Sequence, residues 1–180
     1  LSDKANKFWL KKSDLVVWHK KPVIAYIKKN NKFIWYPNSK INVYHNCITK
    51  NLENNLNKKI ALHVINDKKK IKSYTYEKLD KKISIFLNWI RLNGIDSANH
   101  KIKAMVHTSS SLESAVSMLG FAKIGFHFSI IFEDLEDEAI IKRVILFKPK
   151  VFISRLNKKS FFKNYPNLKK FLKKNSIKLL

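Results

Sequence analysis

The 180 residues are 45% hydrophobic and 28% charged, which suits one globular domain, alone or with an appendage, and excludes a disordered chain. The net charge of +24 is carried almost wholly by lysine, since Arg91, Arg143 and Arg155 are the only arginines. Such a surface attracts polyanions but lacks the guanidinium forks favoured in base-edge and bidentate phosphate recognition.

One cysteine, Cys47, excludes an internal disulfide framework and fits a reducing compartment. The lysines are scattered among many Asn and Ile residues, a trio that A+T-rich codons encode. There are 3 glycines, where average usage of about 7% would give roughly a dozen, and they are not clustered as a phosphate-cradling loop requires. No run reaches the roughly 18 apolar residues of a membrane helix. The longest candidate, Ala115 to Ile131, is broken by Ser117, Lys123, His127 and Ser129. The first residues lack a continuous apolar core, so no signal peptide is expected and a cytoplasmic setting fits. The chain begins at Leu1 and stops inside the apolar run SIKLL, so a piece of a longer protein is expected.

Ser2 to Lys12 reads as a helix, with Ser2 as cap and Phe8 and Trp9 on one side. Leu15 to Pro37 has no steady period and carries Trp18, Tyr26, Phe33, Trp35 and Tyr36. It reads as an irregular arm with a short strand, anchored by its aromatics across a neighbouring domain or, with its interleaved lysines, stacking bases. Asn42 caps a helix from Val43 to about Asn54, with Val43, Cys47 and Leu52 inward. His45 and Cys47, two apart, fall on different faces of that helix and do not share a metal.

Ile60 to Ile65 and Ile71 to Thr75 form a hairpin through Asn66, Asp67 and three lysines. Thr75 caps a helix to Asn93 whose Leu79, Ile83, Phe86, Leu87 and Ile90 make one apolar stripe, and Gly94 supplies its left-handed end. Lys103 to His107 is a strand. Ser110 and Glu113 form a capping box, Leu112, Ala115, Val116, Leu119 and Ala122 the buried stripe that follows, and Gly125 the stop. Phe126 to Phe132, nearly all apolar, reads as a strand buried on both faces. Glu136, Asp137 and Glu138 open a helix with Ile140, Val144 and Phe147 inward, which Pro149 stops. Val151 to Ser154 is a strand, a basic helix follows Pro166, and Ile177 to Leu180 begins another strand. This helix–strand alternation predicts an α/β fold, with an open, mainly parallel sheet and helices on both faces.

Chemistry-bearing clusters are few. His107 with Ser109, Ser110 and Ser111 offers a base beside hydroxyls, yet G-x-S-x-G is absent and a serine at a helix start is ordinarily a cap. Glu133, Asp134, Glu136, Asp137 and Glu138 are the one dense acidic patch, and it suits a helix N-terminus better than a Mg²⁺ site. His127, in an apolar strand, is expected in the core.

In order along the chain, FW at Phe8 and Trp9, FIWYPNSKINVYHNCITKNLE, SYTYEKLDKKI, ESAVSMLGFAKIGFHFSIIF and KRVILFKPKVFIS resemble segments of the AMP-forming short-chain acyl-CoA synthetases, the acetyl-CoA and propionyl-CoA group. The resemblance covers roughly Phe8 to Ser154 and lies in the order and spacing of the pieces. It implies a division into an N-terminal arm, 1–57, and the first part of the AMP-binding (adenylating) domain, 58–180. It implies that the parent chain ligates acetate or propionate to CoA through an acyl-adenylate, using ATP and Mg, with the remainder of its own chain as partner. The adenylation loop and the catalytic lysine would lie beyond Leu180, so this portion alone is expected to be inactive, with no catalytic or metal residue of its own.

The resemblance also implies CoA contacts at Phe132 and Lys163. The family's Phe-Gly-Gly-Phe loop reads Phe132, Glu133, Asp134, Leu135 here, and its paired arginines fall near Ser160 to Lys163, where only Lys163 is cationic. The alternative reading is a non-catalytic basic α/β module that binds RNA or another polyanion. No membrane is expected as partner, and nucleic acid only through general lysine attraction.

Overall fold

The computed structural model describes residues 3–66, 68–96 and 102–180. The expected cap Ser2 and the hairpin residue Asp67 lie outside the described residues.

The arm starts with α1 (Asp3–Ser13), whose acidic first turn and lysine-bearing last turn complement the helix dipole. Four short strands follow, β1 (Trp18–Lys20), β2 (Tyr26–Lys29), β3 (Lys32–Trp35) and β4 (Lys40–Ile41). The arm is therefore more regular than its sequence suggests. β2 and β3 form an antiparallel hairpin closed by Asn30 and Asn31, both at positive φ, the turn geometry that matches strand twist. β1 pairs antiparallel with β4. The segment after α1 is tied to the helical turn at His45–Thr49 by Asn46, whose amide accepts from Val17 N–H at 2.7 Å and donates to Val17 O at 2.8 Å.

Asn42 Oδ1 accepts from His45 N–H at 3.0 Å, as a cap should, but the first turns behind it are π-wound (His45–Thr49) before α2 (Lys50–Glu53). Tyr44 and Ile48 are the buried residues there, and Val43 and Cys47 are exposed, which corrects the expected inward face by one position. The hairpin β5 (Ile60–Ile65) and β6 (Ile71–Thr75) leads into α3 (Tyr76–Leu92), where Thr75 Oγ1 accepts from Lys78 N–H. Leu79, Ile83 and Ile90 of the expected stripe are almost fully buried, each contributing roughly 1.5–3 kcal/mol. Gly94 ends the helix at φ 71°.

The main sheet is wholly parallel, in the order β10 (Lys178–Leu179), β9 (Val151–Ser154), β7 (Lys103–His107), β8 (His127–Ile131). Side chains alternate across it. Ala104, Val106, Val151 and Ile153 pack with Ile90 and Phe121, toward α3 and α4 (Leu112–Ile124). Met105, Phe152 and Ile131 pack with Ile140, Val144, Phe161 and Leu168, toward α5 (Asp137–Phe147), α6 (Lys158–Asn164) and α7 (Pro166–Lys174). The expected α/β architecture with helices on both faces is what forms.

Three details differ. The cap of α4 is Ser111, accepting from Ser114 N–H, one residue beyond Ser110. β8 is the edge strand among the described residues, so only Ile131 of it is buried and His127 is exposed, not a core histidine. And α6, capped by Asn157, fills a stretch with no expected element. No helix of the described residues is long and apolar enough to cross a membrane.

Candidate functional site

In an open parallel sheet, a crevice forms where neighbouring strands send their onward connections to opposite faces. β7 and β9 are such neighbours: α4 follows β7 on one face, and α6 follows β9 on the other. Their carboxyl ends carry His107 and Thr108, and Ser154 and Arg155. An open cavity of about 350 Å³ lies at these ends, floored by Val106 and Ile153, walled by Phe86 and Trp89 of α3, and rimmed by Thr108 and Arg155.

His107 is the last residue of β7 and wholly buried. Its ring lies among Phe152, Phe161 and Tyr165, with centroids 6.0, 5.9 and 5.0 Å away. Nδ1 is 3.1 Å from Ser154 Oγ, and that oxygen also accepts from Leu156 N–H. Nε2 has no hydrogen-bond partner among the described residues. A buried unpaired N–H costs more than a buried lone pair, so the favoured tautomer carries its proton on Nδ1 and donates it to Ser154. Burial holds the imidazole below its usual range, with Arg155 pushing the same way and Glu133 opposing. Among the described residues no hydrogen bond joins the His107 ring to Ser109, Ser110 or Ser111, in line with reading these serines as a helix start. Ser111 serves as a helix cap, and the hydroxyl beside His107 is that of Ser154.

At the end of β8, Phe132 to Leu135 makes a turn closed by Leu135 N–H to Phe132 O. Arg155 donates from Nε and from a terminal nitrogen to the two carboxylate oxygens of Glu133, at 2.9 and 2.7 Å. Tyr165 Oη donates to Glu133 O at 2.7 Å, and burial together with Glu133, Asp134 and Asp137 raises its pKa. Asp137 accepts from Asn167 and Leu168 N–H at 2.8 and 2.7 Å, so it caps the start of α7 while it opens α5. Glu133 and Asp137 of the acidic patch thus fasten β8, β9 and α7 together. Among the described residues, no group of three or more His, Cys, Asp or Glu is placed to hold a metal ion.

Phe132 is 53% exposed and lines a cleft of about 460 Å³ on the α4 side, with Leu62, Val64, Ser111 and Met118. Lys163 is exposed on α6, which packs on the opposite face. The Tyr165–Glu133 bond joins the segments that carry them. Arg155 and Tyr165, which organise this edge, were not singled out by sequence reasoning. The available signal was an arginine directly after a strand in a chain with so few.

No protein-family model matches the sequence. Among curated proteins, the chain is 26% identical over 141 residues to the acetyl-coenzyme A synthetase of Ralstonia pickettii, covering 77% of this chain and 21% of that protein. It is 27% identical over 152 residues to that of Cupriavidus metallidurans (81% and 22%) and 29% identical over 153 residues to that of Shewanella pealeana (82% and 23%). The solved acetoacetyl-CoA synthetase from Streptomyces lividans superposes with a TM-score of 0.70 at 14% identity, over 84% of this chain and 23% of that one. The likeness read from the motifs is therefore found along about four fifths of the chain, which spans only 21–23% of these relatives' length.

Proposed function

We propose that this chain, similar along most of its length to acetyl-CoA synthetases, is the N-terminal portion of an AMP-forming carboxylate–CoA ligase. The observation that carries the reading is the coincidence of that similarity with the fold of part of an acyl-CoA synthetase. In this reading residues 1–57 are the arm and 58–180 open the adenylating domain. The parent activates acetate or propionate with ATP and Mg as an acyl-adenylate, works in the cytoplasm, and depends on the remainder of its own chain. In this reading this portion alone is inactive, and among the described residues no group of three or more His, Cys, Asp or Glu is placed to hold a metal ion.

CoA is the component these residues suit least. A backbone cradle for its phosphates needs a bare turn after β8, and here Glu133 and Asp134 put carboxylates on it. Arg155 neutralises Glu133, while Asp134 is exposed. Of the positions where the resemblance puts CoA contacts, Phe132 follows β8 and lines the cleft on the α4 side, while Lys163 lies on α6, which packs on the opposite face of the sheet. The residues present do not fit that mode of CoA binding.

The test is carboxylate-dependent exchange of pyrophosphate into ATP by the full-length parent, with acetate and propionate tried separately and CoA then added. Exchange followed by CoA-ester formation is the expected result. Exchange without the ester would keep the adenylating half of the proposal and replace the acceptor. No exchange with either acid would overturn it.

A further inference from the structure

The arm carries a continuous row of five aromatic rings. From centroid to centroid, Phe33 lies 5.8 Å from Tyr26, Tyr26 5.4 Å from Trp35, Trp35 5.4 Å from Trp9, and Trp9 5.2 Å from Phe8. Strand register builds it. Tyr26 sits opposite Trp35 and Lys28 opposite Phe33, so one face of the hairpin presents three rings and a lysine, and α1 adds two rings. Four of the five remain open: Phe8 52%, Trp9 40%, Phe33 45% and Trp35 46% exposed. A contiguous exposed apolar patch of this kind marks a surface that binds something.

The surrounding charge says what. Between residues 3 and 41 there are ten lysines against Asp3 and Asp14, and no arginine. Lys12 Nζ lies 5.6 Å over the Phe8 ring at one end of the row, and Lys28 stands beside Phe33 at the other. Lys29 and Lys32, at the hairpin tip, are exposed. An apolar partner laid over these rings would desolvate ammonium groups without pairing them, which is costly. A polyanion that carries flat rings satisfies both features at once.

We propose that the row is a binding platform for single-stranded nucleic acid. Bases stack on the exposed rings of Phe33, Trp35 and Trp9, which meet their neighbours edge to face, and the backbone phosphates run along the flanking lysines, Lys12 over the Phe8 ring among them. With no arginine in the arm, the binding tolerates any sequence. It prefers a single strand to a duplex, whose bases are already stacked. The platform is read from the surface of this chain, and its test is separate from that of the ligase reading.

The test is fluorescence anisotropy of the 180-residue chain with labelled uridine and thymidine oligonucleotides about twelve residues long. A duplex and inorganic polyphosphate of matched charge serve as competitors, at about 50 and about 200 mM salt. Binding of both single strands is expected, with quenched tryptophan fluorescence and weak competition from duplex and polyphosphate. Binding of uridine alone would narrow the ligand to RNA and still support the platform. Trp9→Ala combined with Trp35→Ala should weaken the single strands by about tenfold or more while leaving the salt slope unchanged. Ultraviolet crosslinking of the unaltered chain is a readout that does not depend on how the variant folds, and the crosslinks should fall on peptides holding Trp9, Phe33 or Trp35. Equal competition by polyphosphate would overturn the proposal, leaving lysine attraction only. Crosslinks confined to other surfaces, or no binding, would overturn it as well, the last in favour of a protein partner over the rings.

Discussion

His107 and His127 show how little the neighbouring letters say about a single residue. Both sit in apolar strands, yet His107, on the central strand β7, is wholly buried, and His127, on the edge strand β8, is exposed. The buried ring has a pH consequence. Its folded pKa is depressed, chiefly by burial, so the folded chain resists a proton that the unfolded chain accepts. The unfolded state then binds more protons below its ordinary pKa of about 6.5, and stability falls as pH drops through that value toward the folded pKa. Urea midpoints should decline between about pH 7.5 and about pH 5.5. His107→Asn, which keeps a polar group toward Ser154, should flatten that decline whatever its effect at neutral pH; an unchanged slope would remove His107 as its source. The caps Thr75, Gly94 and Gly125 were legible because each needs one residue type at one place, and the structure puts all three at helix ends. The shift from Val43 and Cys47 to Tyr44 and Ile48 was not, because the choice rests on what α3 and α4 present to that helix.

At the scale of elements, α3 and α5 announce themselves by their periodic apolar stripes. α4 declares one face, with Leu112, Val116, Leu119 and Ala122 packing toward Leu79 and Ile83, but not its second, on which Phe121 packs toward the sheet. The close approach of α3 and α4 depends on Gly120, where a Cβ would lie 2.9 Å from Phe86 Cδ1 and 3.2 Å from Phe86 Cε1. Gly120→Ala should cost about 1–3 kcal/mol in urea unfolding, as overpacking does. Adding Phe86→Leu should recover part of that loss; no loss from Gly120→Ala alone would show that the Phe86 ring yields freely. The hairpin β2–β3 went unrecognised because its turn, Asn30–Asn31, lacks the glycine that usually marks this geometry. α6 is seven residues long, too short for a period to emerge.

For the whole molecule, packing is uneven. β7 and β9 are sandwiched between two core clusters, whereas β1 to β4 are largely exposed, with the Asn46 pair holding the chain just before β1 to the turn at His45–Thr49. Native-state hydrogen exchange should therefore find the Met105, Val106 and Phe152 amides opening only near the global unfolding free energy, and the β2–β3 amides far below it. Equal protection in both places would mean that the arm unfolds with the sheet.

By itself, the sequence determined the α/β class, the order of elements from Thr75 onward, most helix caps and the likeness to acyl-CoA synthetases. These depend on local period, on residues such as glycine and proline that restrict the backbone, and on the spacing of short motifs. Tertiary structure alone decided that β8 lies at the edge, that β7 and β9 share the crevice, that Arg155 locks Glu133 and Tyr165 braces the same turn, and that rings from α1 and the hairpin align in one row. Each of these joins residues far apart in the chain, through strand order and crossover direction, which no local pattern encodes.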